Sequence, residues 1–156
     1  MLTSTENRRS RIFQQVLSVV PSCTYTDPEI ARVSLSEREA KERGIEYEPS
    51  HLRIDEFDRS IVEREELGFV KLLRAKRTDK ILGVTLVAAH AGELLPEFVL
   101  AMKNRIGLGR LATIIYAYPT FAELGRKVGD AYNKQRLTPF ARKIFGLLYT
   151  RTRSRS

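Results

Sequence analysis

Tryptophan is absent from this 156-residue chain, and cysteine, methionine and histidine are scarce, at one, two and two residues. The single cysteine, Cys23, excludes a disulfide framework and any dithiol chemistry within the chain. With so few soft ligands, and with His51 and His90 far apart in unrelated contexts, no zinc spacing exists and no metal site is expected. There is no Walker loop and no G-x-S-x-G elbow. No apolar run approaches the ~20 residues of a membrane-spanning helix, so no membrane span is expected. The start, MLTSTENRRSR, is polar, and the apolar patch from Ile12 to Val20 is broken by Gln14-Gln15 without a small-residue cleavage site. No secretory signal is read there, and a cytoplasmic location is the default expectation.

What is present fits an ordinary single domain: 42% hydrophobic and 29% charged residues. A chain of this size buries roughly 70% of its unfolded surface, enough for a core without covalent staples. The net charge of +8 is unevenly placed. Residues 1–100 hold 15 Lys+Arg against 17 Asp+Glu, a net of −2, whereas residues 101–156 hold 12 against 2, a net of +10. One reading of this basic last third is contact with nucleic acid or anionic lipid. The other is a solvated tail beside one basic surface. The second is favoured, because no aromatic-basic alternation or groove-binding motif accompanies the charge.

Along the chain, residues 1–18 suggest a basic amphipathic helix. Val20 to Tyr25 reads as a strand closed by an Asp27-Pro28 turn. Ser36 and Glu39 make a capping box for a short charged surface helix that Gly44 stops. Leu52 to Phe57 alternates as a half-buried strand, with Leu52, Ile54 and Phe57 inward and Arg53 and Asp55 outward. Ser60 to Glu66 is a charged helical turn or connector. GFVKLLRAK (68–76) and ILGVTLVAA (81–89), joined by a short polar turn, make a hairpin whose second run is apolar on both faces and therefore central. Gly83 marks a bulge or a close backbone approach. AGELLPEFVLAMKNRI (91–106) is the longest helix, apolar at Leu94, Leu95, Phe98, Val99, Met102 and Ile106, with Pro96 in its tolerated first two turns and glycines 107 and 109 ending it. An apolar run then reaches Tyr116 and Tyr118 as a strand. A second helix follows from Pro119 to about Lys134, and PFARKIFGLLY is a last amphipathic segment. Mixed elements, a hairpin and no βαβ repeat predict an α+β class: an antiparallel β-sheet with helices packed against it.

Little of this suggests an active site. Gly107, Gly109 and Ala112 spell G-x-G-x-x-A, but a dinucleotide site needs a strand before the glycines, and here a helix precedes them. His90 reads as a helix-entry residue and Cys23 as an inert thiol in a strand. The carboxylates of 37–48 and 55–66 belong to charged surface segments. Tyr118 and Glu123 remain. A phenol is a weak acid or base near neutrality but a good hydrogen-bond donor and a soft-metal neighbour, and a tyrosine closing a strand onto the next helix is the plainer reading.

The order of segments, however, carries a resemblance. T-D-P-E-I-A at 26–31, I-L-G at 81–83, A-G-E-L at 91–94 and Y-P-T-x-x-E at 118–123, spread over residues 20–139, resemble the C-terminal dimerisation domain of the FAD-dependent pyridine nucleotide-disulfide oxidoreductases. That group includes glutathione reductase, dihydrolipoamide dehydrogenase and mercuric reductase. The resemblance implies residues 20–139 as the dimerisation domain, 1–19 as a helical remnant or extension, and 140–156 as a basic amphipathic segment and tail. It implies a homodimer. It also implies that FAD and NAD(P)H belong to the parent enzyme's other domains, with no cofactor held by this chain and no turnover by it alone.

In that family the domain projects a His-Pro-Thr-x-x-Glu segment toward the partner subunit's flavin and disulfide. The matching residues are Tyr118, Pro119, Thr120 and Glu123. By resemblance, Tyr118 and Glu123 are catalytic in the full dimeric enzyme, and Tyr118 and Pro119 lie against the partner's flavin. Tyrosine in the histidine place is similar to the mercuric-reductase-like branch, although that enzyme's C-terminal cysteine pair is replaced by RTRSRS. Ser34 stands where these proteins usually carry glycine. The competing reading is a basic module for nucleic acid or anionic membrane through residues 134–156. A homodimer through the 91–106 helix and the 110–120 segment is expected in its place, with nucleic acid not a partner.

Overall fold

A computed structural model describes residues 19–136; the helix expected over 1–18 and the segment expected over 140–156 lie outside the described residues. Five antiparallel strands form one sheet: β1 (Pro21–Thr24), β2 (Glu29–Ser34), β3 (Tyr47–Arg53), β4 (Phe69–Ala75) and β5 (Ile81–Ala88). Their spatial order is β1-β2-β5-β4-β3. The apolar run expected to be central is indeed the middle strand, β5, with Val84, Leu86 and Ala88 buried. Helices α1 (Glu37–Glu42), α2 (Asp58–Glu63), α3 (Ala91–Lys103), α4 (Leu108–Leu111) and α5 (Leu124–Arg136) complete the fold, with short 3-10 turns at Ile54–Glu56 and Phe121–Glu123.

Helix α3 lies on β1, β2 and β5 and buries Leu95, Phe98 and Ala101 against Val33, Val70, Leu72 and Leu86 in a single core. Each large side chain so buried contributes about 1.5–3 kcal/mol. Its N-terminus is satisfied from the sheet: Gly92 N donates to Glu29 Oε2 at 2.9 Å. Helix α1 keeps the expected capping box. Glu39 Oε2 accepts from Ser36 N (2.8 Å), Ser36 Oγ (2.7 Å) and Arg32 (2.6 Å). Those donors, Ser36 first and the Arg32 guanidinium after it, hold the Glu39 carboxyl down at about 2.

Several expected boundaries shift. Residues 29–34 form a strand of their own, paired with β1 on one side and β5 on the other. The strand expected over 52–57 lies at Tyr47–Arg53, and residues 54–56 curl into a 3-10 turn that still buries Ile54 and Phe57. Helix α3 ends at Lys103, with Arg105 in the left-handed region (φ 56°), and Gly107 introduces α4 instead of closing α3. The run 110–117 is not a strand: α4 occupies 108–111, and residues 114–117 carry no regular structure.

Gly83 proves to be a close approach. A Cβ there would stand 2.0 Å from Leu35 O, and the β4–β5 register slips opposite it, between Leu73 and Arg74. Its strand partner is Ser34, which adopts φ 60°. A side chain in the left-handed region costs roughly 1–2 kcal/mol. Glycine at this position returns that strain and loses roughly 0.5–1 kcal/mol to its freer unfolded chain. Ser34→Gly is therefore expected to raise the urea midpoint modestly, by the equivalent of about 0.5–1 kcal/mol. A lowered midpoint would show that the serine is preferred at this turn.

Candidate functional site

Residues 112–123 form a tip between α4 and α5, and partly buried polar contacts fix its base. The hydroxyl of Tyr116 donates to Glu97 of α3 beneath the start of α5. Gly125 makes room for this pair, since a Cβ there would meet both the Glu97 carboxylate and the Tyr116 hydroxyl. Burial pushes both groups upward: Glu97 above the usual carboxylate range, and Tyr116 well above an ordinary phenol, with the Glu97 contact adding to it. Glu123, only 3% exposed, pairs with Arg126 one turn along α5. These two contacts tie the loop to α3 and α5 from both ends.

Above this base Tyr118 stands 69% exposed. Its hydroxyl donates to Asp58 Oδ2 at 2.6 Å, at the start of α2. The hydrogen bond to Asp58 and that carboxylate's charge raise the phenol above its ordinary value, with a smaller push from Glu123. At neutral pH Tyr118 therefore keeps its proton. Pro119 follows through a cis peptide and is partly buried. Tyr118 and Glu123, the two residues picked out from the motif, lie on the same tip but are not hydrogen-bonded to one another. Each has its own partner: Asp58 for the tyrosine and Arg126 for the glutamate. Asp58, Glu97, Tyr116 and Gly125 escaped the reading of the sequence. The only available signal was the placement of Tyr116 two residues before Tyr118.

The tip borders a shallow depression of about 380 Å³, lined by Ile114, Ile115, Tyr116, Tyr118, Glu123 and Arg126. The glycine-rich turn is no phosphate cradle. A Cβ on Gly107 would fall 2.2 Å from the Asp79 carboxylate, so the chain's own anion fills that space, and Leu108 N donates to Asp79 O. His90 occupies the entry to α3 with its ring edge on Phe121, and His51 stacks on Phe69. Cys23 is half-buried, and burial raises its thiol, consistent with an unreactive side chain. Among the described residues no group of three or more His, Cys, Asp or Glu is placed to hold a metal ion, and no helix is long and apolar enough to cross a membrane.

Apolar surface gathers near the tip. Ile115 is 96% exposed, and Leu100, on the outward face of α3, is 62% exposed. Helix α2, to which Tyr118 is tethered, leaves Ile61 and Val62 in solvent.

The family model for the pyridine nucleotide-disulphide oxidoreductase dimerisation domain matches residues 20–128. Mercuric reductase from Bacillus cereus is 41% identical over 107 residues, covering 69% of this chain and 17% of that protein. Dihydrolipoyl dehydrogenase from Buchnera aphidicola is 41% identical over 105 residues, covering 67% of this chain and 22% of that protein. The chain thus spans about a fifth of the length of these relatives. Among solved structures, LpdA from Mycobacterium tuberculosis superposes with a TM-score of 0.69 at 25% identity, covering 74% of this chain and 25% of that one. The flavoprotein disulfide reductase RclA from Escherichia coli shares the fold, with a TM-score of 0.68 at 21% identity, over 72% of this chain and 26% of that one.

Proposed function

The chain belongs to the dimerisation-domain family of the pyridine nucleotide-disulphide oxidoreductases, and from that premise we propose that it forms the two-fold interface of such an enzyme and offers Tyr118 to its partner's redox centre. The observation that carries this is the tip itself. An exposed tyrosine beside an exposed isoleucine stands on a loop whose base is fixed by two partly buried polar pairs. A free surface loop has no need of such anchorage, whereas a loop that must meet a second subunit in register does. The outward apolar residues on α3 and on the tip supply contact area for the partner.

In this reading FAD and NAD(P)H would bind to the parent enzyme's other domains and would supply the redox chemistry there. Tyr118 and Pro119 supply one edge of that centre from across the two-fold axis. Tyr118 acts as a proton-bearing phenol, because its raised pKa leaves too little phenolate near neutrality for a general base. Glu123 serves the tip by clamping Arg126. The substrate chemistry best matched is that of the mercuric-reductase-like and dihydrolipoyl-dehydrogenase-like relatives.

Sedimentation of the purified chain at micromolar concentration tests the interface. A dimer is expected, with backbone amides of residues 112–118 gaining protection from hydrogen exchange as concentration rises. A strict monomer with those amides equally exposed at every concentration would count against the reading.

A further inference from the structure

Asp58 is not a casual neighbour of Tyr118. It lies 60 residues earlier in the chain, yet the turn that carries it is packed into the core and fastened to α5. Ser60 Oγ, fully buried, is 2.6 Å from both Ile54 O and Phe57 O and closes the turn that precedes α2. Phe57 is buried in the core. Lys127 of α5 donates to Glu56 O at 2.5 Å, with its ammonium 4.2 Å from the centre of the Phe57 ring. The turn carrying Asp58 is thereby fastened to the helix that leaves the tip. The acceptor and the loop bearing the hydroxyl are held by the same element.

The other acid within reach does not compete. Glu123 is paired with Arg126, and Asp58 accepts the hydrogen bond that the Tyr118 hydroxyl donates. The charged groups around the hydroxyl are then Asp58 of α2, Glu123 of the 3-10 turn and Arg126 of α5.

We propose that Asp58 is the positioning residue of Tyr118, fixing the direction of its hydroxyl so that the oxygen lone pairs, and not the proton, face outward from the tip. This rests on the reading of Tyr118 as a functional group and adds its polarity. A phenol that donates its hydrogen bond to a carboxylate on its own chain presents an acceptor, enriched in electron density by that hydrogen bond. The group it meets across the interface is then a hydrogen-bond donor, such as an N–H or a thiol S–H, or a cation. A carbonyl or carboxylate acceptor would be turned away.

The test uses the full 156-residue chain labelled with 13C at the tyrosine Cζ, with the Tyr118 signal identified by its loss in Tyr118→Phe. In the wild-type chain Tyr118 is expected to titrate above a free tyrosine, and Asp58→Asn is expected to bring its midpoint down toward that of a free tyrosine. The Tyr116 signal should be unmoved, since its partner is Glu97. A merely structural role for Asp58 would not shift one phenol and spare the other. Equal Tyr118 midpoints in the wild type and in Asp58→Asn would overturn the proposal. Should that variant fail to fold, the wild type alone decides. Nuclear Overhauser contacts between the Tyr118 ring and the Asp58 β protons are expected, and their absence overturns it. A chain that stays monomeric while the Tyr118 midpoint falls in Asp58→Asn sinks the interface reading and leaves the positioning role standing.

Discussion

Gly129→Ala is expected to destabilise the domain by roughly 2 kcal/mol, although alanine is the better helix former. Gly129 lies in the middle of α5, where alanine would ordinarily gain about 1 kcal/mol from propensity. Its buried face, however, rests on the backbone of α4 and of Ala112 just after it. A Cβ would stand 2.6 Å from both Ala112 N and Leu108 O and 2.9 Å from Ala112 Cα. Backbone atoms cannot rotate aside as the end of a side chain can, so α5 must lift. Lifting it parts Val128 and Tyr132 from Leu108 and Leu111, all of them buried in the core. Overpacking of this kind typically costs about 1–3 kcal/mol and can cost more, which outweighs the propensity gain. Urea titration should show a lower midpoint at an unchanged slope. An equal or higher midpoint would mean that the two helices are less closely seated than the structure has them. Gly125→Ala, one helical turn earlier, is the informative contrast. Its obstruction is the far end of Glu97 and of Tyr116, which can swing away, so its effect falls on the anchoring of the tip more than on stability.

The unequal legibility of the fold has the same physical source. The β4–β5 hairpin, α3 and the capping box of α1 were readable because each is set by residues close in sequence: alternation, a 3.6-residue period, and Ser36 with Glu39. The class, an antiparallel sheet with helices against it, followed from these and agrees with the observed order of strands. Strand β2 was missed because EIARVS, carrying Glu29 and Arg32, has no run that demands a sheet. It is extended because β1 and β5 pair with it from both sides. Strand β3 was placed too late because the alternation that marked it begins only at Leu52, whereas the strand runs from Tyr47 and includes Pro49. The proline is tolerated because β3 is an edge that pairs with β4 alone.

At the tip, the motif made Tyr118 and Glu123 visible, but nothing local reveals their partners. Asp58 is drawn to Tyr118 across 60 residues and Glu97 to Tyr116 across 19, contacts that only the folded chain creates. Asp58 even belonged to the run of surface carboxylates that seemed least suited to a site. Composition could say that these acids are solvated as a group, but it could not say which one of them the fold turns toward a phenol.

Ile115→Asp is expected to weaken self-association at least about thirtyfold, the equivalent of roughly 2 kcal/mol, while leaving the monomer's fold alone. At 96% exposure Ile115 makes almost no contact within its own chain, so the substitution has little to remove there. Surface changes of this sort usually fall within about 0.5 kcal/mol of neutral. In the proposed dimer the same side chain is an apolar anchor, flanked by the partly exposed Ile114 and by the depression that Tyr118 borders. A carboxylate in its place must be desolvated against an apolar face. The two-fold axis also makes each substitution count twice, once from each subunit. Leu100→Asp, on the outward face of α3, should act in the same direction, because the interface is expected to include that helix as well as the tip. Sedimentation equilibrium gives the dissociation constant, and thermal melting of dilute monomer supplies the control. An Ile115→Asp chain that associates as tightly as wild type would move the two-fold contact away from the tip. Tyr118 would then lose its route to a partner's redox centre.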